Sequence, residues 1–408
     1  GSPRADVAVD ATGLMIRDVT EEADQALNVA LRTDWNGRVL NADGQVTGGF
    51  GDALRVTAAI PLRPAGLVPA PPRGAQIDAG VTWKGEVETI WPLLPLSDHV
   101  LTGELDLDLR VGGTLDNPRP AGRVELTGGA YQNLEVGTIL TDLRVSSSLR
   151  ENDGGLLVKV DALDGAKGPV QAEIHLKGKE IEAALTTREA VLVRRDDVTA
   201  AITTDIRVEG PLTEPLVAGT VTVDRAEVRL VSATPPSLAS LGEVEIKGAP
   251  PEEVEETPTG GPQLDVKVRA PGNIFVRGRG LQSEWEMSLD ITGSAFAPAI
   301  AGAVERRRGT LDFLGREFDL VRGAVRFDGS TTIDPLIDVS LEHERDDITG
   351  RIAVRGYASD PSLAFESVPA LPEDEVLPRV IFGRPRQSMT AAEALQLAGG
   401  VATLLSGG

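Results

Sequence analysis

Residues 285–293 read Trp285-Glu286-Met287-Ser288-Leu289-Asp290-Ile291-Thr292-Gly293. Every second residue is large and apolar, and those between are polar or small. A period of two marks a strand with one dry face and one wet face. The alternation continues through Val304, Leu311, Phe313, Phe318, Leu320, Val325 and Phe327. It goes on through Ile337, Val339, Leu341, Ile352, Val354, Leu363 and Phe365. Gly309, Gly315, Gly323, Gly329 and Asp360-Pro361 read as the turns between them. No helical pattern intervenes, so connections this short predict a meander of antiparallel strands.

A longer repeat ties this stretch to the rest of the chain. The spacing G-x4-P-x3-G-x-V occurs at Gly113, Pro118, Gly122 and Val124. It recurs at Gly210, Pro215, Gly219 and Val221, and at Gly293, Pro298, Gly302 and Val304. A fourth copy starts at Gly356 and Pro361 but runs into Phe365. Each follows an alternating strand: Leu105, Leu107, Leu109 and Val111; Ile206 and Val208; Trp285 to Ile291; Ile352 and Val354. The unit is strand, proline turn, strand. Proline cannot donate to a ladder and belongs in the turn. The second glycine permits a bulge or a close backbone approach. The spacing between copies is irregular, which predicts a repeat-like array with insertions rather than a strict solenoid.

Composition narrows the function. Aromatics make up 3% of the 408 residues, with 45 Gly and 27 Pro, which suits many short strands. The net charge of −22 argues against nucleic acid and against anionic lipid surfaces as partners. With no cysteine there are no disulfides, no thiolate zinc site and no thiol nucleophile. No apolar run approaches the length of a membrane-spanning helix, and no signal peptide is visible. Gly1-Ser2 has the look of a vector-derived leftover, so the chain reads as a fragment from which any anchor could have been removed.

Chemistry finds little footing. His99, His175 and His343 lie in unrelated segments without a nucleophile motif. Asp196-Asp197 and Asp346-Asp347 are adjacent pairs, which point to opposite faces of a strand and read as turn residues. Glu104, Asp106 and Asp108 share one strand face, but flat spacing does not wrap a cation, and a solvated face is the expected reading. No catalytic, metal or cofactor site is expected. A carbohydrate-active β-helix is the enzyme rival, disfavoured by scattered polar residues.

Two stretches break the pattern. Residues 234–262 hold an acidic, Pro-rich excursion, expected as a loop inserted in the array. Asn152-Asp-Gly-Gly reads as a hairpin turn, residues 64–74 as a Pro-rich loop, and Glu88 to Leu96 as a short helical cap. Near the end, Glu373 to Phe382 reads as a short helix that Pro378 would disturb. Thr390-Ala-Ala-Glu393 is a capping box opening a helix, with Leu397, Val401 and Leu404 on one side.

The expected fold is all-β: an elongated, strongly curved antiparallel sheet with an apolar interior and a short helical carboxy-terminus. The domains expected are a disordered start at 1–4, a continuous array over 5–366 and a helical cap or docking segment over 367–408. A long sheet with one dry face must curl, and if it folds over lengthwise its halves meet as a closed core or stand apart as a groove. A groove suits acyl chains. A structural spacer with a closed core is the alternative from another class.

Several segments resemble the TamB family. They are Arg269-Ala-Pro-Gly-Asn-Ile-Phe-Val-Arg-Gly-Arg-Gly-Leu281; Gly309-Thr-Leu-Asp-Phe-Leu-Gly-Arg-Glu-Phe-Asp-Leu320 with Gly323-Ala-Val-Arg-Phe327; and the ending Ser367-Val-Pro-Ala-Leu-Pro with Ile381-Phe-Gly-Arg384 and Thr390-Ala-Ala-Glu393. Gly129-Ala-Tyr131 and Gly137 to Leu143 are similar in kind. The resemblance spans about residues 100 to 400. It implies a β-taco groove crossing the periplasm, an amino-terminal inner-membrane anchor outside this chain, and a TamA-like Omp85 barrel as outer-membrane partner. Relatives of the AsmA-like kind imply phospholipid transport; an older view implies assembly of nascent outer-membrane proteins. On this reading the alternating apolar residues from Leu105 to Phe365 named above line the lipid groove, and Leu397, Val401 and Leu404 dock the cap or the partner.

Overall fold

The computed structural model describes residues 4–14, 26–48, 52–63, 70–72, 74–89, 91, 96–149, 155–230 and 261–405. The hairpin turn expected at Asn152, the tip of the loop at 64–69 and all but the last two residues of the acidic stretch lie outside them. The chain falls into two compact units, residues 1–195 with 202–219, and residues 196–201 with 220–408.

The first unit is built from β1 (Ala5–Leu14), β2 (Leu27–Trp35), β3 (Val39–Thr47), β4 (Leu54–Pro61), β5 (Asp78–Glu86), β6 (His99–Gly113), β7 (Pro118–Asn133), β8 (Thr138–Leu149), β9 (Leu156–Asp164), β10 (Pro169–Lys177) and β11 (Glu180–Arg194). Each pairs antiparallel with the next in sequence. The strands β12 (Val198–Pro211) and β13 (Leu216–Arg229) are shared between the units. The second unit continues with β14 (Gln263–Gly278), β15 (Leu281–Ser294), β16 (Ala297–Phe313), β17 (Arg316–Asp328), β18 (Leu336–Arg345), β19 (Ile348–Tyr357) and β20 (Asp360–Val368), again paired in sequence. Two helices close the chain, α1 (Glu373–Phe382) and α2 (Ala391–Leu405). The meander read from period two is therefore what forms.

The expected curvature is not. The sheet is neither closed nor strongly curved, and no β-taco groove is built from it. The physical reason lies in how the dry face is relieved. A sheet curls over itself when nothing else covers its apolar side; in the second unit α1 lies on that side instead. Val376, Leu377, Val380 and Ile381 of α1 pack in one cluster with Leu311, Phe313, Phe318, Leu320, Leu341, Ile348 and Ile352. In the first unit the turn Val87–Thr89 supplies a smaller cover, with Val87 buried against Leu126, Leu143, Ala162, Val170 and Ala190. The short helical cap read at Glu88 to Leu96 overlaps this turn at residues 88–89, its residues 90 and 92–95 lie outside the described residues, and Trp91 donates its indole N–H to His99 O at 2.8 Å.

One local return occurs within the first unit. Arg194 N–H donates to Val136 O at 2.9 Å, and the Thr138 hydroxyl to Leu192 O at 2.6 Å. The corner is organised by Asp164, whose side chain is fully buried. Its carboxylate accepts the backbone N–H groups of Ala166, Gly168 and Val191 and lies 3.7 Å from the Arg194 guanidinium. A buried carboxylate is tolerated because each oxygen has a donor.

The proline repeat is resolved by the registers. Gly113 faces Pro118, Gly293 faces Pro298 and Gly356 faces Pro361, each pair flanking a hairpin turn. Proline therefore stands at the first or second position of its strand, not in the turn where the spacing predicts it, and there its missing donor costs little. The second glycine of the unit sits at φ +131° in Gly122, +145° in Gly219 and +123° in Gly302. A Cβ there would stand 2.0, 2.1 and 2.2 Å from the carbonyl oxygens of Asp108, Asp205 and Ser288. These glycines let two backbones touch. Gly309 and Gly323, expected as turns, instead lie inside β16 and β17. A Cβ on Gly323 would meet the Trp285 ring at 2.6 Å, so this glycine is the floor under an indole.

Gly122→Ala combines a positive φ with a backbone clash and is expected to destabilise the first unit by roughly 2–4 kcal/mol. Gly112→Ala, with open space at its Cβ and no positive φ, is the matched control and should be near neutral. Denaturant melts of both variants check the contrast; equal midpoints would contradict the account of the repeat.

Candidate functional site

The cross-strand registers decide where the alternating apolar residues go. In the first unit Leu107 faces Trp83 on one side and Val124 on the other; Leu105 faces Leu126, and Leu109 and Val111 face Val81 and Ala79. Ile206 and Val208 lie on β12 and Val221 on β13. In the second unit Met287 faces Ala270 and Val304, Val304 faces Val325, and Val325 faces Ile337. Leu289 faces Val268 and Gly302, which in turn faces Phe327; Ile291 faces Val266 and Ile300. Further rows join Leu320, Leu341, Ile352 and Phe365, and Gly323, Val339, Val354 and Leu363. Residues directly opposite share a face, so these paired residues form apolar rows within each unit, broken where Trp285 faces Arg306 and Phe313 faces Arg316.

They divide by burial. Leu311, Phe313, Phe318, Leu320, Leu341 and Ile352 are buried, together with α1. This portion of the face is already occupied by the protein's own helix. The remaining residues, from Leu105 to Phe365, are half-buried, Trp285, Met287, Leu289, Ile291, Val325 and Phe327 among them. Ser288, between two of them, is exposed.

The cover itself is the feature that sequence reading underweighted. Helix α1 runs through Pro378 without ending there. The proline is fully buried and forgoes one helical hydrogen bond. The signal was present: Val376, Leu377, Val380 and Ile381 recur at helical spacing. Glu373, Asp374 and Glu375 occupy its first turn, where the helix dipole favours carboxylates. At its far end Gly383 adopts the left-handed conformation, and its N–H returns to Arg379 O. Two arginines from the sheet finish that end. Arg345 Nη1 donates to Val380 O and Ile381 O at 3.2 and 2.9 Å, and Arg316 Nε to Ile381 O at 3.1 Å. Beneath it Gly350 makes room: a Cβ there would meet Val380 at 2.3 Å.

Helix α2 begins with the capping box read from sequence. Thr390 Oγ1 accepts the Glu393 N–H at 3.2 Å, and the Glu393 carboxylate accepts the Thr390 N–H at 2.8 Å. The Thr390 N–H first, and then the Thr390 hydroxyl, which donates to the same carboxylate at 3.0 Å, hold the Glu393 carboxyl below the ordinary range. Leu397 and Val401 are half-buried against the α1 cluster, and Gly400 rests near Leu314. The side chain of Leu404 lies outside the described residues. Between α1, α2 and β20 opens a pocket of about 960 Å³, lined mainly by apolar side chains. Sequence reading did not find it; its signal is the run of alanines at 391, 394, 398 and 402, which leaves the wall of α2 shallow.

The polar residues resolve as bland. Asp106 is bound by Arg123 at 3.0 Å and lies 3.9 Å from Lys84; Glu104 lies 3.8 Å from Lys84, and Asp108 3.6 Å from Arg110. Asp196-Asp197 and Asp346-Asp347 fall in turns. His99 bonds the Tyr131 hydroxyl, His343 sits at Glu317 O, and His175 is buried beside Glu182. Across the last strands Glu342, Arg351 and Glu366 form a charged row on the wet face. Bonds from Arg355 first, then Arg351, hold Glu366 below the usual carboxylate range. Among the described residues no group of three or more His, Asp or Glu is placed to hold a metal ion.

Paired strands, an apolar face and a helical cover define a β-scaffold. Residues 161–408, more than half of the chain, match the TamB C-terminal domain. The chain belongs to the TamB family, whose members are non-catalytic scaffolds of AsmA-like kind and whose C-terminal domain is periplasmic. A search of curated proteins finds no match. No helix among the described residues is long and apolar enough to cross a membrane.

Two outcomes check this geometry. Gly350→Val should force Val380 off the sheet and destabilise the second unit by roughly 1–3 kcal/mol or more in denaturant melts. The Glu393 cap follows acid linkage: its folded pKa is depressed, so its contribution is complete above the unfolded value and lost as pH falls through the folded one. The first turn of α2, followed by NMR chemical shifts, is therefore expected to fray below about pH 4, and Glu393→Ala should bring the frayed shifts to neutral pH.

Proposed function

We propose that this protein is a periplasmic bridge whose half-buried apolar sheet face carries phospholipid acyl chains between the inner and outer membranes. In this reading an amino-terminal helix outside the chain anchors it to the inner membrane. An Omp85-type barrel of the TamA kind is its outer-membrane partner. The supporting observation is the set of in-register apolar rows running through Met287, Val304, Val325 and Ile337 and through Leu289 and Phe327. Such rows give an acyl chain continuous dry contact, at about 25 cal/mol per Å² of apolar area removed from water. Head groups remain in water beside the exposed strand residues. The path is the open face, not an enclosed trough.

Photo-crosslinkers at Met287, Leu289 and Val325 in the membrane-anchored protein are expected to capture phospholipid, and those at Ser288 and Arg326 are not. Leu289→Asp should interrupt transfer while the sheet stays folded, because an unpaired carboxylate on an apolar path is costly. Lipid captured equally from Ser288 and Leu289 would overturn the assignment of the face.

A second reading, assembly of nascent outer-membrane strands, draws on the last strand. The Phe365 N–H of β20 is taken by the Glu373 carboxylate at 3.2 Å, a side chain standing where a neighbouring strand's carbonyl would be. Edges guarded in this way are candidates for strand addition. Crosslinkers at Leu363 and Ser367 that recover barrel-strand peptides rather than lipid would favour this reading.

A further inference from the structure

We infer that the pocket between α1 and α2, which meets the sheet face only at Phe365, is a binding site for a single aliphatic chain ending in a cationic, ammonium-type group, independent of the function proposed for that face. Its volume of about 960 Å³ is within the range of small-ligand sites. The floor is apolar: Phe365 from β20, Leu377 and Pro378 from α1, and Leu397 and Val401 from α2. The shallow wall is the alanine side of α2, where Ala394, Ala398 and Ala402 reach too little distance to fill the space.

The occupant's chemistry follows from what the walls lack and what the rim holds. Beyond their first turns the helical walls have their backbone bonds satisfied internally, the first turn of α2 is capped by Thr390 and Glu393, and the Phe365 N–H of the adjacent strand is already engaged by Glu373. An extended peptide entering here would strand its own amides in an apolar setting, whereas an aliphatic chain has no such groups. At the mouth stand Glu373, Asp374 and Arg386. Arg386 is committed to Asp374 at 2.6 Å. Glu373 spends one oxygen on the Phe365 N–H, which leaves a carboxylate at the rim of a chain whose net charge is −22. That balance favours a cationic head and repels an anionic one.

The test is calorimetric titration of the whole chain with dodecyltrimethylammonium below its micelle concentration, with dodecanoate as the anionic control. The cation is expected to bind at one saturable site, about tenfold or more tighter than dodecanoate. Ala398→Trp and Ala402→Phe fill the pocket from exposed positions, and each should weaken binding about tenfold without moving the thermal midpoint. Glu373→Gln should erase the preference for the cation while leaving chain binding in place. Binding that survives both filling variants, an equal affinity for dodecanoate, or no saturable binding would overturn the inference. Of these, binding that survives the filling variants but falls with Leu289→Asp would place the chain on the sheet face, supporting the transport reading at the expense of the pocket.

Discussion

A β-sheet with one apolar face gains by covering it, and how far that face is covered determines the rest of this molecule. In the second unit the cover is α1, and its seat is carved into the strands beneath. Gly350 is empty where Val380 descends, Arg345 and Arg316 reach up to its last carbonyls, and Phe318 and Ile352 lie wholly dry below it. Hydrophobic burial supplies the driving force, while the arginines satisfy backbone acceptors that would otherwise be left at a helix end. Because the helix takes this role, the strands need not roll over on themselves.

The division of the apolar face into a covered part and a half-buried part gives the scaffold two characters. Under α1 the side chains are fixed by packing on both sides. Away from it, Met287, Leu289 and Val325 retain exposed area and have room to accept other apolar surface. The wet face is held by crossed ion pairs such as Arg351 with Glu342 and Glu366. Exposed pairs of this kind contribute less than about 1 kcal/mol each; their larger effect is to keep the opposite side of the sheet from associating.

Much of this was legible in the residues. Period two at Trp285 to Ile291 reports strand and face directly, since a pleated backbone allows no other alternation. The G-x4-P-x3-G spacing marked the turn and the backbone touch point, because only glycine accepts a carbonyl oxygen at the position of its Cβ. Curvature was not legible. Alternation says which side is dry but carries no information on how far successive strands rotate, and a helix that covers the dry side removes the reason to curl. Gly309 and Gly323 misled for a related cause: a glycine that makes room for a neighbouring strand, as Gly309 does for Ser283, or for a packed ring, as Gly323 does for Trp285, looks in sequence like one that makes a turn. The helix Glu373 to Phe382 was legible despite Pro378, although its spacing does not say what it covers, and the α1–α2 pocket depends on what the alanines fail to fill, which no pattern of large residues reveals.

The strictly sequential pairing from β1 to β11, and again from β14 to β20, has a kinetic meaning. Each new strand finds its partner immediately behind it, so most ladders close over a hairpin of a few residues and the entropy lost per step is small. Sheets that bring distant segments together must wait for the whole chain and fold slowly. Here each unit can zip in the order its strands arrive, and every newly added strand becomes the template for the next. Such a polypeptide can mature progressively while it is still being delivered across a membrane. In the second unit α1, which needs β18 to β20 already in place, and α2, which packs on its cluster, come last.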